Sequence, residues 1–140
     1  MKSSKPKIHY RAGFKYQLMT GISLLTPICG DWDTVHNQWV QLTSSGRLTI
    51  SPGYAWDGAS GPTKDTKDSM RASLIHDAFY QLMREGLLDL SYREDVDNYF
   101  WYLLREDGMN YVRAWYWWRA VRRFARRAAA GDPRPVEIAP

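Results

Sequence analysis

The feature that most constrains this chain is a change in the period of its apolar residues. Between Trp39 and Ser51 the period is two: Val40 and Leu42, then Leu48 and Ile50, alternate with polar neighbours around Ser44-Ser45-Gly46. That pattern predicts a hairpin with one buried face. From Ser69 the spacing becomes three and four. Ala72, Ile75, Ala78, Phe79, Leu82 and Met83 share one helical face, and Gly86 stands where the helix would stop. A second helix reads from Ser91 to Gly108, with Ser91-Tyr92-Arg93-Glu94 matching a capping box. Asn110 can cap a third, running from Tyr111 to about Ala130, with Gly131 and Pro133 beyond it. Strands followed by helices predict an α+β fold: a small antiparallel sheet built on the 39–51 hairpin, then three packed helices at about 69–85, 91–107 and 111–130. Upstream, Phe14 to Leu25 favours one or two short strands interrupted by Gly21. Tyr54 to Thr63 is too rich in Gly and Pro for a regular element and reads as an ordered loop.

The length of 140 residues suits one domain over 1–140, with a basic arm at 1–7 and a tail at 131–140. Cysteine-poor composition, with Cys29 alone, excludes an internal disulfide framework. The basic opening is followed by no apolar stretch, and nowhere is there a run of about 20 apolar residues, so neither a signal peptide nor a transmembrane segment is expected. The net charge of +4 is concentrated. Arg113, Arg119, Arg122, Arg123, Arg126 and Arg127 lie between Tyr111 and Ala130 with no acidic residue among them, and without these six, 13 basic residues face 15 acidic ones. A slightly acidic body with one basic helix argues against a nucleic-acid groove across the fold. Arg119, Arg122, Arg123 and Arg126 fall opposite the apolar face made by Ala114, Trp117, Trp118, Val121, Phe124, Ala125 and Ala128. They read either as solvated charges or as a candidate basic face for an acidic partner or an anionic surface, with Trp115 and Tyr116 at its border.

Some polar residues stand where apolar ones belong. In the second helix Arg93 and Asp97 fall inside or beside the arc of Val96, Phe100, Leu103 and Leu104, whereas Glu94, Asp95, Asn98 and Arg105 lie outside it. Burying an unpaired charge is costly, so Arg93 and Asp97 are expected to be held by each other or by an adjoining element. They read as a structural ion pair or as a functional site. In the first helix His76 sits at the border of the core, with Asp77 one step round and Tyr80 on the same side. The loop Trp56-Asp57-Gly58-Ala59-Ser60-Gly61-Pro62 sets a carboxylate and a hydroxyl among glycines. Asp57 and Ser60 there either form turn hydrogen bonds or belong to a site.

These stretches together resemble a known family. Gly53-Tyr54-x-Trp56-Asp57-Gly58-Ala59-Ser60-Gly61-Pro62, Arg71-Ala72-Ser73-Leu74-Ile75-His76-Asp77-x-x-Tyr80, Arg93-x-x-x-Asp97 and Ala120-Val121-Arg122-x-Phe124 are similar, in this order, to the phage and prophage family of unknown function DUF1353. The resemblance spans about Leu48 to Phe124, with Gly61 where an apolar residue is commoner. It implies a phage or prophage origin, a place in the host cytoplasm or the virion, and a site at Asp57, Ser60, His76, Asp77, Tyr80, Arg93 and Asp97.

Two classes of function fit these residues. One is a non-catalytic virion component or host-interaction module, with a buried His/Asp/Arg network and a phage or host protein as partner. The other is a small hydrolase of cell wall or phosphoester. In its metal form His76, Asp77, Asp57 and Asp97 would hold a divalent ion. In its metal-free form Ser60 would be the nucleophile and His76 the base. The His-Asp pair is similar to that of HD-type phosphohydrolases, but the remaining histidines, His9 and His36, stand in no helical context, which excludes that assignment. The loop also lacks the Gly-x-Ser-x-Gly form of a nucleophile elbow. The balance favours the non-catalytic class.

Overall fold

The computed structural model describes residue 8 and residues 10–11, 16–56 and 66–124. The chain divides into two compact units, one of strands ending at Trp56 and one of helices after it.

Among the described residues the first unit contains two antiparallel sheets. β1 (Tyr10–Arg11), β2 (Tyr16–Leu18) and β7 (Ala55–Trp56) form one, in that order; β3 (Ile22–Leu25), β6 (Arg47–Ile50), β5 (Val40–Leu42) and β4 (Val35–His36) form the other. The predicted hairpin is β5–β6, with Val40 opposite Ile50 and Leu42 opposite Leu48. β3 joins its other side, pairing Ile22 with Ile50 and Leu24 with Leu48. Alternation therefore puts Ile22, Leu24, Val40, Leu42, Leu48 and Ile50 on one buried face. The hairpin turn closes with Gly46 N–H donating to Thr43 O at 3.0 Å. Gly46 has φ +99°, and a Cβ there would lie 2.3 Å from Thr26 O. Only glycine fits this approach, in which Thr26 donates both its N–H and its hydroxyl to Gly46 O, each at 2.8 Å.

Three findings refine the sequence reading here. Phe14 to Leu25 yields two strands, β2 and β3, with Gly21 between them. β1 and β4 are two-residue strands, too short to show a period. The stretch taken as loop from Tyr54 begins with a strand: Ala55 and Trp56 pair with Gln17 and Tyr16. Its partner is far away in sequence, so local Gly and Pro content misreports it.

The second unit is helical: α1 (Lys67–Arg84), α2 (Arg93–Glu106) and α3 (Tyr111–Phe124). α2 packs against both α1 and α3. Ser69 anchors the start of α1, its Oγ accepting from Thr66 N at 3.0 Å and donating to Thr66 O at 2.8 Å. α1 and α2 both end on left-handed glycines, Gly86 at φ 73° and Gly108 at φ 100°, with Leu87 N–H returning to Leu82 O and Met109 N–H to Leu104 O. Asn110 caps α3 as expected, Oδ1 accepting from Arg113 N at 2.9 Å. The capping box at Ser91 is corrected. A 3-10 turn, Leu90–Tyr92, precedes α2, and its cap is Asp89, which accepts from Ser91 N at 2.8 Å. Ser91 is thus a receiver of the cap and does not provide it. The expected course of the third helix to Ala130, with Gly131 and Pro133 as its stop and a tail at 131–140, lies outside the described residues, as does the arm at 1–7.

Buried Leu74, Ile75, Ala78, Phe79 and Leu82 on α1, Val96, Phe100, Leu103 and Leu104 on α2, and Ala114, Trp117 and Val121 on α3 supply the apolar core of this unit. At about 1.5–3 kcal/mol for each large apolar side chain taken out of water, this burial is its main driving force.

Candidate functional site

Asp97 stands in the second turn of α2 with its side chain wholly buried. It is one turn from Arg93 and flanked by the apolar Val96 and Phe100, so folding α2 onto its neighbours carries the carboxylate into the interior. Oδ1 accepts from Tyr80 Oη at 2.5 Å and is joined to His76 Nε2 at 2.7 Å. Oδ2 accepts from Arg122 Nη1 at 2.8 Å and lies 3.5 Å from Arg93 Nη1. His76 and Tyr80 come from α1, Arg93 from α2 and Arg122 from α3, so one carboxylate ties together all three helices. Aromatic contacts hold the imidazole in place: ring centroids of His76 lie 4.1 Å from Tyr80 and 4.8 Å from Phe100.

Burial works against the charge on Asp97. Hydrogen bonding and charge from His76, then the Tyr80 hydroxyl and Arg122, outweigh it and hold the carboxyl below its ordinary value. Tyr80 shifts the other way, since burial and the adjacent carboxylate push its phenol up against the opposing pull of Arg93. It therefore stays protonated and acts as a donor.

The sequence expected Arg93 and Asp97 to be paired, and they are, but the closer cation is Arg122. The sequence pattern puts that residue on the outer basic face. Its guanidinium instead turns inward to Asp97, because an arginine stem is long enough to reach round a helix from beside Val121. The signal that could have found it is geometric: a buried carboxylate with only one arginine within a turn of it on its own helix calls for donors from elsewhere. Asp77 is half-buried beside His76 and is not among the groups touching Asp97. Asp57, Ser60 and Arg126 lie outside the described residues. Of the other basic-face residues, Arg119 is exposed over the Trp115 ring, 5.4 Å from its centroid, and Arg123 is exposed. Among the described residues no group of three or more His, Cys, Asp or Glu side chains could hold a metal ion. The donors that crowd Asp97 are cations and hydrogen-bond donors, the opposite of what a metal ligand needs.

Comparison with known proteins bears on this constellation. The family described as protein of unknown function, DUF1353, matches residues 32–121, more than half of the 140 residues. The chain belongs to DUF1353. No curated protein and no solved structure matches it. His76, Tyr80, Arg93 and Asp97 of this DUF1353 chain fall inside the matched region, and Arg122 follows it by one residue.

The DUF1353 chain has a second buried charge, which no interruption of an apolar arc marks in the sequence. Arg71 of α1 donates Nε and Nη2 to the two carboxylate oxygens of Asp107, each at 3.0 Å, and Nη2 also to Glu106. Burial disfavours its charge, but Asp107 and then Glu106 more than compensate. Nearby Tyr99 is pushed up to about 12, first by burial and also by the Glu106 charge, with Arg71 opposing. This bidentate fork fixes the start of α1 to the end of α2. No helix among the described residues is long and apolar enough to cross a membrane.

Proposed function

We propose that this chain is a non-catalytic phage-family protein, a virion component or host-interaction module, in which the network around Asp97 fastens the helical unit. The observation that carries this reading is the complete enclosure of Asp97, with both oxygens engaged by groups from three helices. A carboxylate wholly out of solvent, with both oxygens already bonded, is closed to a substrate. The phage association rests on the resemblance of the loop and helix motifs, and with it a place in the host cytoplasm or the virion. The partner is an acidic protein of phage or host, received on the outer side of α3. Tyr111, Val112, Trp115 and Tyr116 are exposed there, α3 contains no Asp or Glu, and Trp, Tyr and Arg are the residue types that dominate interface energies.

The test is a melt of His76→Ala. As a network member His76 should cost roughly 1–3 kcal/mol when removed, since it leaves Asp97 short of a partner. An unchanged Tm would overturn the reading. The runner-up is a small hydrolase, metal-assisted through His76 and neighbouring carboxylates or metal-free. In its favour is the 2.7 Å bond between Asp97 and His76, which would orient an imidazole base. It predicts the reverse result, an unaltered melt with turnover lost.

A further inference from the structure

Two guanidiniums share one carboxylate in this unit, and that imbalance has a consequence beyond fastening helices. Asp97 Oδ1 is taken by His76 and Tyr80, leaving Oδ2 alone to face Arg122 at 2.8 Å and Arg93 at 3.5 Å. The two arginines also touch each other, Arg93 Nη1 donating to Arg122 O at 3.4 Å. Nothing neutralises the second positive charge within these contacts. Each guanidinium offers five N–H donors; Nη1 of each serves the Asp97 carboxylate, that of Arg93 also the Arg122 carbonyl, and Arg93 also bonds the Tyr80 hydroxyl, so both forks keep donors beyond these contacts.

Exposure separates the partners. The Asp97 side chain is 0% exposed, but those of Arg93 and Arg122 are 17% and 27% exposed. The acid is therefore hidden while part of each guanidinium reaches solvent, so that the positive partners of the pair, and not its carboxylate, face outward. Planar forks aimed by a buried anchor match an oxyanion far better than freely rotating surface arginines, because their side-chain freedom is already lost.

We propose that Arg93 and Arg122 form a binding site for a small oxyanion, a phosphate group, with Asp97 as the buried residue that positions both forks. This goes beyond the reading of the network as scaffold, and its failure would leave the His76→Ala melt untouched.

Inorganic phosphate is the probe. Titration followed by calorimetry, at constant ionic strength held with chloride, should give saturable binding to the wild-type chain. Arg93→Gln should weaken it at least tenfold, whereas Arg47→Gln, which removes an exposed arginine on β6, should leave it unchanged. Circular dichroism at the titration temperature establishes that each variant is folded. Should Arg93→Gln not fold, Arg93→Lys takes its place; it keeps the charge, loses the fork, and should also bind at least several-fold more weakly. Absence of saturable binding in the wild type, equal affinity in the Arg93 variant, or an equal loss in Arg47→Gln would overturn the proposal.

Discussion

Asp97 is ionised because its neighbours outweigh its burial, and that gives its contribution to stability a definite direction with pH. The folded carboxyl titrates below the ordinary value of 3.8, so its stabilising contribution is intact above that value and is lost as pH falls beneath it. Urea melts at pH 6 and pH 3 should therefore show a fall in wild-type stability that is smaller in Asp97→Asn, although the variant is less stable at pH 6. Equal falls in both would contradict the account. Tyr80→Phe keeps the ring against His76 and removes one donor to Oδ1, so a loss of about 1–3 kcal/mol is expected at neutral pH, read by the same melts. At this scale the sequence was informative about the anomaly and silent about its resolution. Arg93 and Asp97 stand out because they interrupt an apolar arc. Arg122 does not, because its backbone lies on the polar side and only its long stem carries the charge inward.

Helices announce themselves more clearly than strands in this chain, and the reason is range. The limits of α1, α2 and α3 depend on residues within a turn or two: Asn110 at a start, Gly86 and Gly108 at ends. Even so, the capping box expected at Ser91 gives way to a 3-10 turn that Asp89 caps, and α2 starts after it without a side-chain cap. β7 is decided by β2, some forty residues earlier, and no local pattern records that pairing. Turn geometry gives a sharp prediction for the β5–β6 hairpin. Gly46→Ala combines a positive φ with a Cβ 2.3 Å from the Thr26 carbonyl, so it should cost well over the roughly 1 kcal/mol of left-handed backbone alone. Gly86→Ala has the positive φ but nothing within 4 Å of the added Cβ, and should cost only about that 1 kcal/mol. Comparable Tm shifts for the two variants would show that close backbone approach is not what requires Gly46.

On the scale of the whole molecule, the change of period that opens the sequence is also the division of the fold, strands up to Trp56 and helices after it. What the pattern could not display is the dependence of the helical unit on its last element. A chain ending at Asn110 retains α1 and α2 but loses Trp117, Val121 and Arg122, leaving a buried carboxylate short of its closest cation. Breaking such a pair costs about 3–5 kcal/mol, and the helical signal at 222 nm should lose its cooperative transition in that truncation. A transition like that of the full chain would refute this dependence. The partners of Asp97 on the other two helices lie 17, 21 and 25 residues away along the sequence, and the most distant of them, Arg122, comes after it. During synthesis, then, the acid leaves the ribosome well before the base that completes its enclosure. Until Arg122 follows, the nascent chain holds a charge where its interior must form, and completion of the helical unit is reserved for a polypeptide that has been translated through its third helix.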